Sequence, residues 1–118
     1  MSGVIIAVVD DMFFAAKIRA VAEAVGAEIS FPRTREALVE KARQTRPRLI
    51  VIDLHNQKIN ASELAGELKS DEDLREIPLL GFFSHVQTEL QRSALAAGFD
   101  RVIPRSVFAR DLPKILSA

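Results

Sequence analysis

The chain contains no cysteine, tryptophan or tyrosine, and its seven phenylalanines are its only aromatic residues among 118 positions. Without cysteine the protein cannot form a disulfide, use a thiolate nucleophile or bind zinc through sulfur. An excess of charge is also missing, because 16 Lys and Arg residues balance 16 Asp and Glu residues. This balance argues against non-specific nucleic-acid binding, which needs surplus cations to displace counterions from the phosphate backbone.

Long apolar runs are absent as well. The longest runs, such as residues 4–9, fall far short of the about 20 residues that a membrane-spanning helix requires. The N-terminus shows neither the basic stretch nor the small-residue cleavage site of a secretory signal. We therefore expect a cytoplasmic protein without membrane contact, and the length predicts that residues 1–118 form a single domain.

Short β-branched runs alternate with longer amphipathic segments along the whole chain. Pro113 lies inside the last amphipathic segment and predicts a kink there, or a fresh helix start capped by Asp111. The pattern predicts strands at residues 4–9, 27–31, 48–53, 78–83 and 100–103, and helices at 12–25, 34–45, 62–69, 86–97 and 107–116. Strict alternation predicts an α/β fold: a doubly wound, five-stranded parallel sheet with helices on both faces. If the strand order is the flavodoxin-like 2-1-3-4-5, the first and third strands are neighbours.

Carboxylates follow two of the strands that this order makes neighbours. Asp10 and Asp11 follow the first strand, and Asp53 ends the third. Ligands of such sheets bind beyond the carboxyl ends of the strands, so these side chains are expected to converge. Close carboxylates raise one another's pKa unless a cation lies between them, and hard oxygen ligands with room for water suit Mg²⁺. The sequence therefore predicts a magnesium site.

Two hydrogen-bond donors are expected at the same edge of the sheet. Ser84 follows the fourth strand and Arg105 follows the fifth. A hydroxyl and a guanidinium both donate well to a phosphoryl oxygen, and arginine can donate two bonds at once. Together with the carboxylates they predict a phosphate-plus-metal site.

Four motifs in order, each at a strand end, give the chain a family resemblance. They are Val-Val-Asp-Asp at residues 8–11, Leu-Ile-Val-Ile-Asp-Leu at 49–54, Ser84, and the segment 98–105 with Gly98 and a Pro-Arg pair. Over its whole length the chain resembles the receiver domain of two-component response regulators, the CheY-like family. Each motif alone is weak, and their order and spacing carry the resemblance.

The resemblance implies a specific use for these residues. Asp53 would accept a phosphoryl group from a histidine kinase or phosphotransfer protein, and an unknown downstream protein would receive the signal. Ser84 and Arg105 would contact the phosphoryl group. The implied ligands of Mg²⁺ are Asp10, Asp11, Asp53 and the backbone carbonyl of His55.

Several positions depart from the family pattern. Arg105 replaces the invariant lysine, and Val102 replaces the strand-five aromatic residue that couples to the hydroxyl residue in the family. The remaining departures are Ser106 for proline, Gln57 and Ala61 for the usual proline and glycine, and His85 for a small residue. The resemblance therefore points to an atypical member whose phosphorylation-driven switching is altered.

Three functions follow as hypotheses. The first is a stand-alone, atypical receiver phosphorylated on Asp53 that signals through protein contacts. The alternative is a pseudo-receiver, which has the same fold but serves as a phosphorylation-independent protein-interaction module. A small phosphatase or hydrolase is the third, and it lacks a clear general base and a glycine-rich phosphate loop, so we expect no enzyme.

Each site residue also has a structural interpretation. Asp10 and Asp11 can serve as helix N-terminal charges, Ser84 as a helix cap, and Arg105 as the partner of Asp53 or Asp10 in an ion pair. Asp53 itself can be a solvated strand end. His55 and His85 suggest transition-metal binding, although two histidines without a third ligand are more typical of loops. Either Phe13 or Phe14 must turn toward the surface, since neighbouring helix residues face about 100° apart.

Overall fold

A computed structural model describes residues 3–56, 58–84 and 87–117. Its five strands form one parallel sheet in the order β2-β1-β3-β4-β5, which confirms the predicted fold. The strands are β1 Val4–Val8, β2 Glu28–Ser30, β3 Leu49–Asp53, β4 Leu79–Phe83 and β5 Arg101–Pro104. The helices are α1 Met12–Ala24, α2 Arg35–Thr45, α3 Ala61–Ser70, α4 Thr88–Ala97, α5 Arg105–Arg110 and α6 Leu112–Ser117.

The central strands are buried on both faces of the sheet. All five residues of β1 and of β4 are buried. Because successive side chains of a strand point to opposite faces, each strand supplies two separate cores. Ile6 and Ile52 pack on the side of α2, α3 and α4, whereas Ile5 and Val51 pack on the side of α1, α5 and α6. Burial on both faces explains why these strands read as continuous apolar runs.

A cluster of three phenylalanines forms the centre of the second core. Phe82 and Phe108 stack with ring centroids 4.9 Å apart, and Phe14 meets them edge-on at 5.5 and 5.9 Å. These offsets and edge contacts are the favoured geometries of aromatic pairs. Phe13, its neighbour in sequence, is 91% exposed, so Phe13 is the residue of that pair that turns to solvent.

The last helical segment was predicted over residues 107–116 with a kink or a fresh helix start at Asp111, and the structure has the fresh start. The backbone turns at Asp111, which ends α5, and α6 begins at Leu112. Pro113 lacks a backbone N–H and is tolerated in the first turn of a helix, so the segment restarts instead of kinking. The carboxylate of Asp111 is bonded by Arg110. Helix α5 begins at Arg105, directly after β5, which is two residues earlier than the predicted start at residue 107.

Most other boundaries fall within two residues of the predicted ones. Thr34 lies outside α2 as its N-cap, where its hydroxyl accepts the N–H of Ala37 at 3.0 Å. Helix α4 was predicted from residue 86, but Val86 lies outside the described residues and α4 begins at Thr88. No helix in the described ranges has both the length and the apolar character needed to cross a bilayer.

Substitution of Gly81 in β4 tests how closely the sheet packs against its neighbouring side chains. A Cβ added there would lie 2.8 Å from Leu54 Cδ2 and 3.1 Å from the ring of Phe99. We expect Gly81→Ala to lower the free energy of unfolding by about 1–3 kcal/mol, as overpacking of a dense core does. Urea unfolding followed by far-UV circular dichroism measures it.

Gly66→Ala is the matched control. Gly66 lies within α3, and a Cβ there meets nothing within 4 Å. Alanine is the better helix former, so this variant should gain about 0.5–1 kcal/mol. Equal effects of the two substitutions would contradict the packing described for Gly81.

Candidate functional site

The register of the sheet aligns the candidate residues along its carboxyl edge. Val8 of β1 is opposite Ile52 of β3, so Asp53 stands one residue beyond that pair. Phe83 of β4 is opposite Pro104 of β5, so the residues that follow them, Ser84 and Arg105, leave the sheet at the same level. The strand ends therefore bring Asp53, Ser84 and Arg105 to one edge, as predicted from the topology.

Asp53 is the one carboxylate that is buried in the described part of the chain. Its residue is 8% exposed, and its Oδ1 accepts the backbone N–H of His55 at 2.9 Å. Burial raises the pKa of Asp53 above its ordinary value, and the His55 N–H opposes that shift. The charge of Arg105 also lowers this pKa and that of Asp10 raises it, so both charges act on Asp53.

Both carboxylate oxygens of Asp11 accept hydrogen bonds. Its Oδ1 caps α1 by accepting the N–H groups of Phe13 and Phe14 at 2.9 and 3.1 Å. Its Oδ2 accepts a hydrogen bond from Arg105 at 2.9 Å. The Arg105 bond is the main cause that lowers the pKa of Asp11, followed by the bond from Phe14. The interpretation of Asp11 as a helix N-terminal charge is therefore confirmed.

Arg105 is held by two contacts on the α1 side of the site. Its guanidinium bonds Asp11 and lies 3.9 Å from the ring centroid of Phe14. The sequence suggested Asp53 or Asp10 as its ion-pair partner, and the observed partner is Asp11 instead. The physical reason is the start of α5 at Arg105, which places the side chain over the first turn of α1.

Ser84 lies exposed just after β4. Its alternative role as a helix cap is wrong, because the N-cap of α4 is Gln87, three residues later. Its contact with a phosphoryl group stays a prediction. The two-histidine metal hypothesis involves His85, which lies outside the described residues, as does Gln57.

The oxygen atoms at this edge suit Mg²⁺ in kind. Carboxylate oxygens of Asp10 and Asp53 and a backbone carbonyl are hard ligands of the type that Mg²⁺ prefers. Among the described residues, however, no three His, Cys, Asp or Glu side chains are gathered closely enough to hold a metal ion. Arg105 already bonds Oδ2 of Asp11 and would compete with a metal ion for that oxygen. The donor set therefore fits Mg²⁺ chemically, with Arg105 standing as a competing cation.

The loop after β3 contains a turn that the sequence analysis did not identify. Asn56 Oδ1 accepts the N–H groups of Lys58 and Ile59 at 2.8 and 2.9 Å. Asparagine favours such turns because its side chain can bond the backbone two residues further along the chain.

The chain was compared with known proteins in three ways. No family model matches it, and no curated protein matches it either. Among solved structures, the receiver domain of a signal transduction histidine kinase from Syntrophus aciditrophicus is 26% identical, with a TM-score of 0.79 over 98% of this chain and 91% of that one.

Two further solved structures show the same fold. Chemotaxis response regulator CheY4 of Vibrio cholerae is 16% identical, with a TM-score of 0.82 over 98% of this chain and 97% of that one. The Mn²⁺-bound form of response regulator Rcp1 is 22% identical, with a TM-score of 0.76 over 97% of this chain and 88% of that one. Nearly the whole chain thus has the fold of response-regulator receiver domains, and the resemblance found in the sequence is confirmed.

Proposed function

We propose that this chain is an atypical receiver module of two-component phosphorelay signalling that accepts a phosphoryl group on Asp53. The donor is a histidine kinase or phosphotransfer protein, and the signal leaves through contacts with a downstream protein. The observation that carries the proposal is the position of Asp53, which ends a buried central strand and feels the charges of both Asp10 and Arg105.

The chemistry assigned to Asp53 is a direct transfer. A carboxylate oxygen of Asp53 forms a new O–P bond as the P–N bond to the donor imidazole breaks, and the imidazole nitrogen takes up a proton. The reacting form is the ionised carboxylate. Burial opposes ionisation, whereas the His55 N–H and the charge of Arg105 favour it. Ser84 and Arg105 are the proposed donors to the phosphoryl oxygens.

Mg²⁺ is the proposed cofactor, held by Asp10, Asp11, Asp53 and the carbonyl of His55. When bound, it would neutralise negative charge on the carboxylates and on the phosphoryl oxygens. The similar protein Rcp1 has a form that binds Mn²⁺, which supports a divalent ion of this type. We expect weak binding, because Mg²⁺ dehydrates reluctantly and Arg105 competes for Asp11.

A pseudo-receiver is the second candidate function. Arg105 is already paired with Asp11 and lies over Phe14. A cation is therefore already bound at the acidic edge, by which we mean the carboxyl edge of the sheet with Asp10, Asp11 and Asp53. Val102, half-buried against the core, stands where the family has the aromatic residue that responds to phosphorylation. Both observations favour a site whose shape changes little, read as a fixed protein-binding surface.

We place the protein in the cytoplasm, where two-component phosphotransfer takes place, and assign it no catalytic turnover of its own.

Asp53→Asn tests the phosphoacceptor. Incubation with Mg²⁺ and a small-molecule phosphodonor should add one phosphoryl group to the wild-type chain, and none to the variant, because the amide cannot serve as the nucleophile. Intact-protein mass spectrometry measures the product. Asp73→Asn, which alters an exposed carboxylate away from the site, should label like the wild type. Labelling that survives Asp53→Asn would move the chemistry to Asp10 or Asp11, and an unlabelled wild type would favour the pseudo-receiver.

Arg105→Lys tests the competing cation. The slimmer ammonium leaves more room for the phosphoryl group and cannot form the guanidinium fork, so Asp11 should be released more readily. We expect Mg²⁺ to shift the amide NMR signals of residues 10, 11 and 53 at lower concentration than in the wild type, and labelling to increase. A decrease in labelling would show that Arg105 is itself a productive phosphate ligand.

The opposite pKa shifts of Asp53 and Asp11 predict opposite pH effects on stability. The pKa of Asp53 is raised in the folded state, so its contribution to stability is present below the ordinary value of 3.8 and is lost as the pH rises through the folded pKa. Asp53→Asn should therefore gain unfolding free energy relative to the wild type between acidic and neutral pH.

Asp11→Asn is the matched control with the opposite sign. The pKa of Asp11 is lowered, so its contribution is present above 3.8 and is lost as the pH falls through the folded pKa. This variant should lose unfolding free energy relative to the wild type over the same rise in pH, while asparagine keeps the helix cap. Urea unfolding at several pH values measures both variants, and slopes of the same sign would contradict the electrostatics described here.

A further inference from the structure

A separate pocket opens beside the acidic site, on the far side of α1 from Arg105. Its volume is about 290 Å³, and it lies between α1, the loop after β2 and the loop after β3. Of the residues described above at the carboxyl edge of the sheet, Asp10 lines this pocket, whereas Asp53, Ser84 and Arg105 do not. We call it the α1–β2 pocket. Its size is near the lower end of the about 300–1,000 Å³ that is typical of small-molecule sites.

Part of the wall of the α1–β2 pocket is apolar. Helix α1 contributes Ala15 and Ala16, whose small side chains leave the space between the helix and the β2 loop open. Val8, Phe31 and Ile59 contribute larger apolar groups from three different segments. A hollow of this composition accepts a ring or a short hydrocarbon chain, because burying apolar surface is favourable in both partners.

Three cationic side chains also line the pocket. Arg19 comes from α1, Arg33 from the loop after β2 and Lys58 from the loop after β3. Asp10 is the one carboxylate among the described lining residues, so the lining carries an excess of positive charge in a chain whose net charge is zero. Such a local excess concentrates anions at the opening.

One of the three cations is oriented by a contact with an aromatic ring. The guanidinium of Arg19 lies 4.8 Å from the ring centroid of Phe31 and is held at the pocket wall. The backbone of Lys58 is bonded to Asn56 Oδ1, which fixes where its side chain leaves the loop after β3. A preorganised cation loses less conformational freedom when it binds an anion.

We propose that the α1–β2 pocket binds a small amphipathic anion, a molecule with an apolar ring or short chain that carries one phosphate-type group. The apolar part occupies the hollow beside Ala15 and Ala16, and the anionic group faces Arg33 and Lys58. The proposal does not depend on phosphorylation of Asp53. It adds a second ligand site, which shares Asp10 with the acidic edge.

The test is a titration of the isotopically labelled full chain in metal-free buffer, followed by amide NMR. The probe is phenylphosphonate, which has a ring and a dianionic group but transfers no phosphoryl group. We expect saturable shifts at residues 15, 16, 33 and 58. Methylphosphonate lacks the ring and phenyltrimethylammonium reverses the charge, so both should bind at least about tenfold more weakly.

Matched variants separate the two contributions. Arg33→Glu should weaken phenylphosphonate binding by about tenfold, whereas Arg75→Glu, an exposed arginine outside the pocket, should leave it unchanged. Ala16→Leu should fill the hollow and abolish binding, and Ala96→Leu, an exposed alanine of α4, should not. If Ala16→Leu impairs folding, Arg33→Glu still decides the question.

Three results would overturn the proposal. One is a lack of saturable shifts at millimolar phenylphosphonate. Another is equal binding of phenyltrimethylammonium, which would remove the role of the cations. The third is a set of shifts centred on residues 84 and 105, which would assign the anion to the acidic edge instead.

Discussion

Burial of the parallel sheet on both faces is the constraint from which the rest of this structure follows. The five residues of β1 are all buried, as are four of the five in β3. A polar side chain within these strands would lose its hydration without gaining a partner, so polar groups are admitted only where the strands end. All strands are parallel and therefore end at one edge, where the last residue of β3, Asp53, and the first polar residue after β1, Asp10, are carboxylates. The acidic edge is thus a consequence of how the core is built.

A carboxylate at such an edge remains partly within the low-dielectric interior. Asp53 has one hydrogen bond from the His55 N–H to support its charge, and burial still raises its pKa. Asp11 is in the opposite position, since helix N–H groups and Arg105 stabilise its charge and lower its pKa. Asp53 and Asp11, which both interact with Arg105, therefore differ in how readily they bind a proton. The charged form of Asp53 is the less stabilised of the two, so a bound cation would stabilise Asp53 more.

Alternation of strands and helices was enough to predict a parallel sheet and the edge at which its strands end, because both depend on hydrophobic periodicity over long segments. The sheet order came from the family resemblance, since the same alternation fits more than one doubly wound order. The partner of Arg105 could not be predicted. It depends on where α5 begins, and a helix boundary is decided by one or two residues of local geometry. The α1–β2 pocket could not be predicted for a related reason. It forms because the small side chain of Ala16 leaves space between segments that are distant in the chain.

Phe14 connects the acidic edge to the interior. One part of its ring meets Phe82 and Phe108 in the core, and Arg105 lies over it at 3.9 Å. A cation over an aromatic face contributes about 0.5–2 kcal/mol, and the partly exposed ion pair with Asp11 adds little, because solvent screens it. Any ligand that draws Arg105 away must offset both interactions. The same movement uncovers the ring of Phe14, so the cost of opening the site is felt in the packing of α1 against β4 and α5 as well as at the carboxylates.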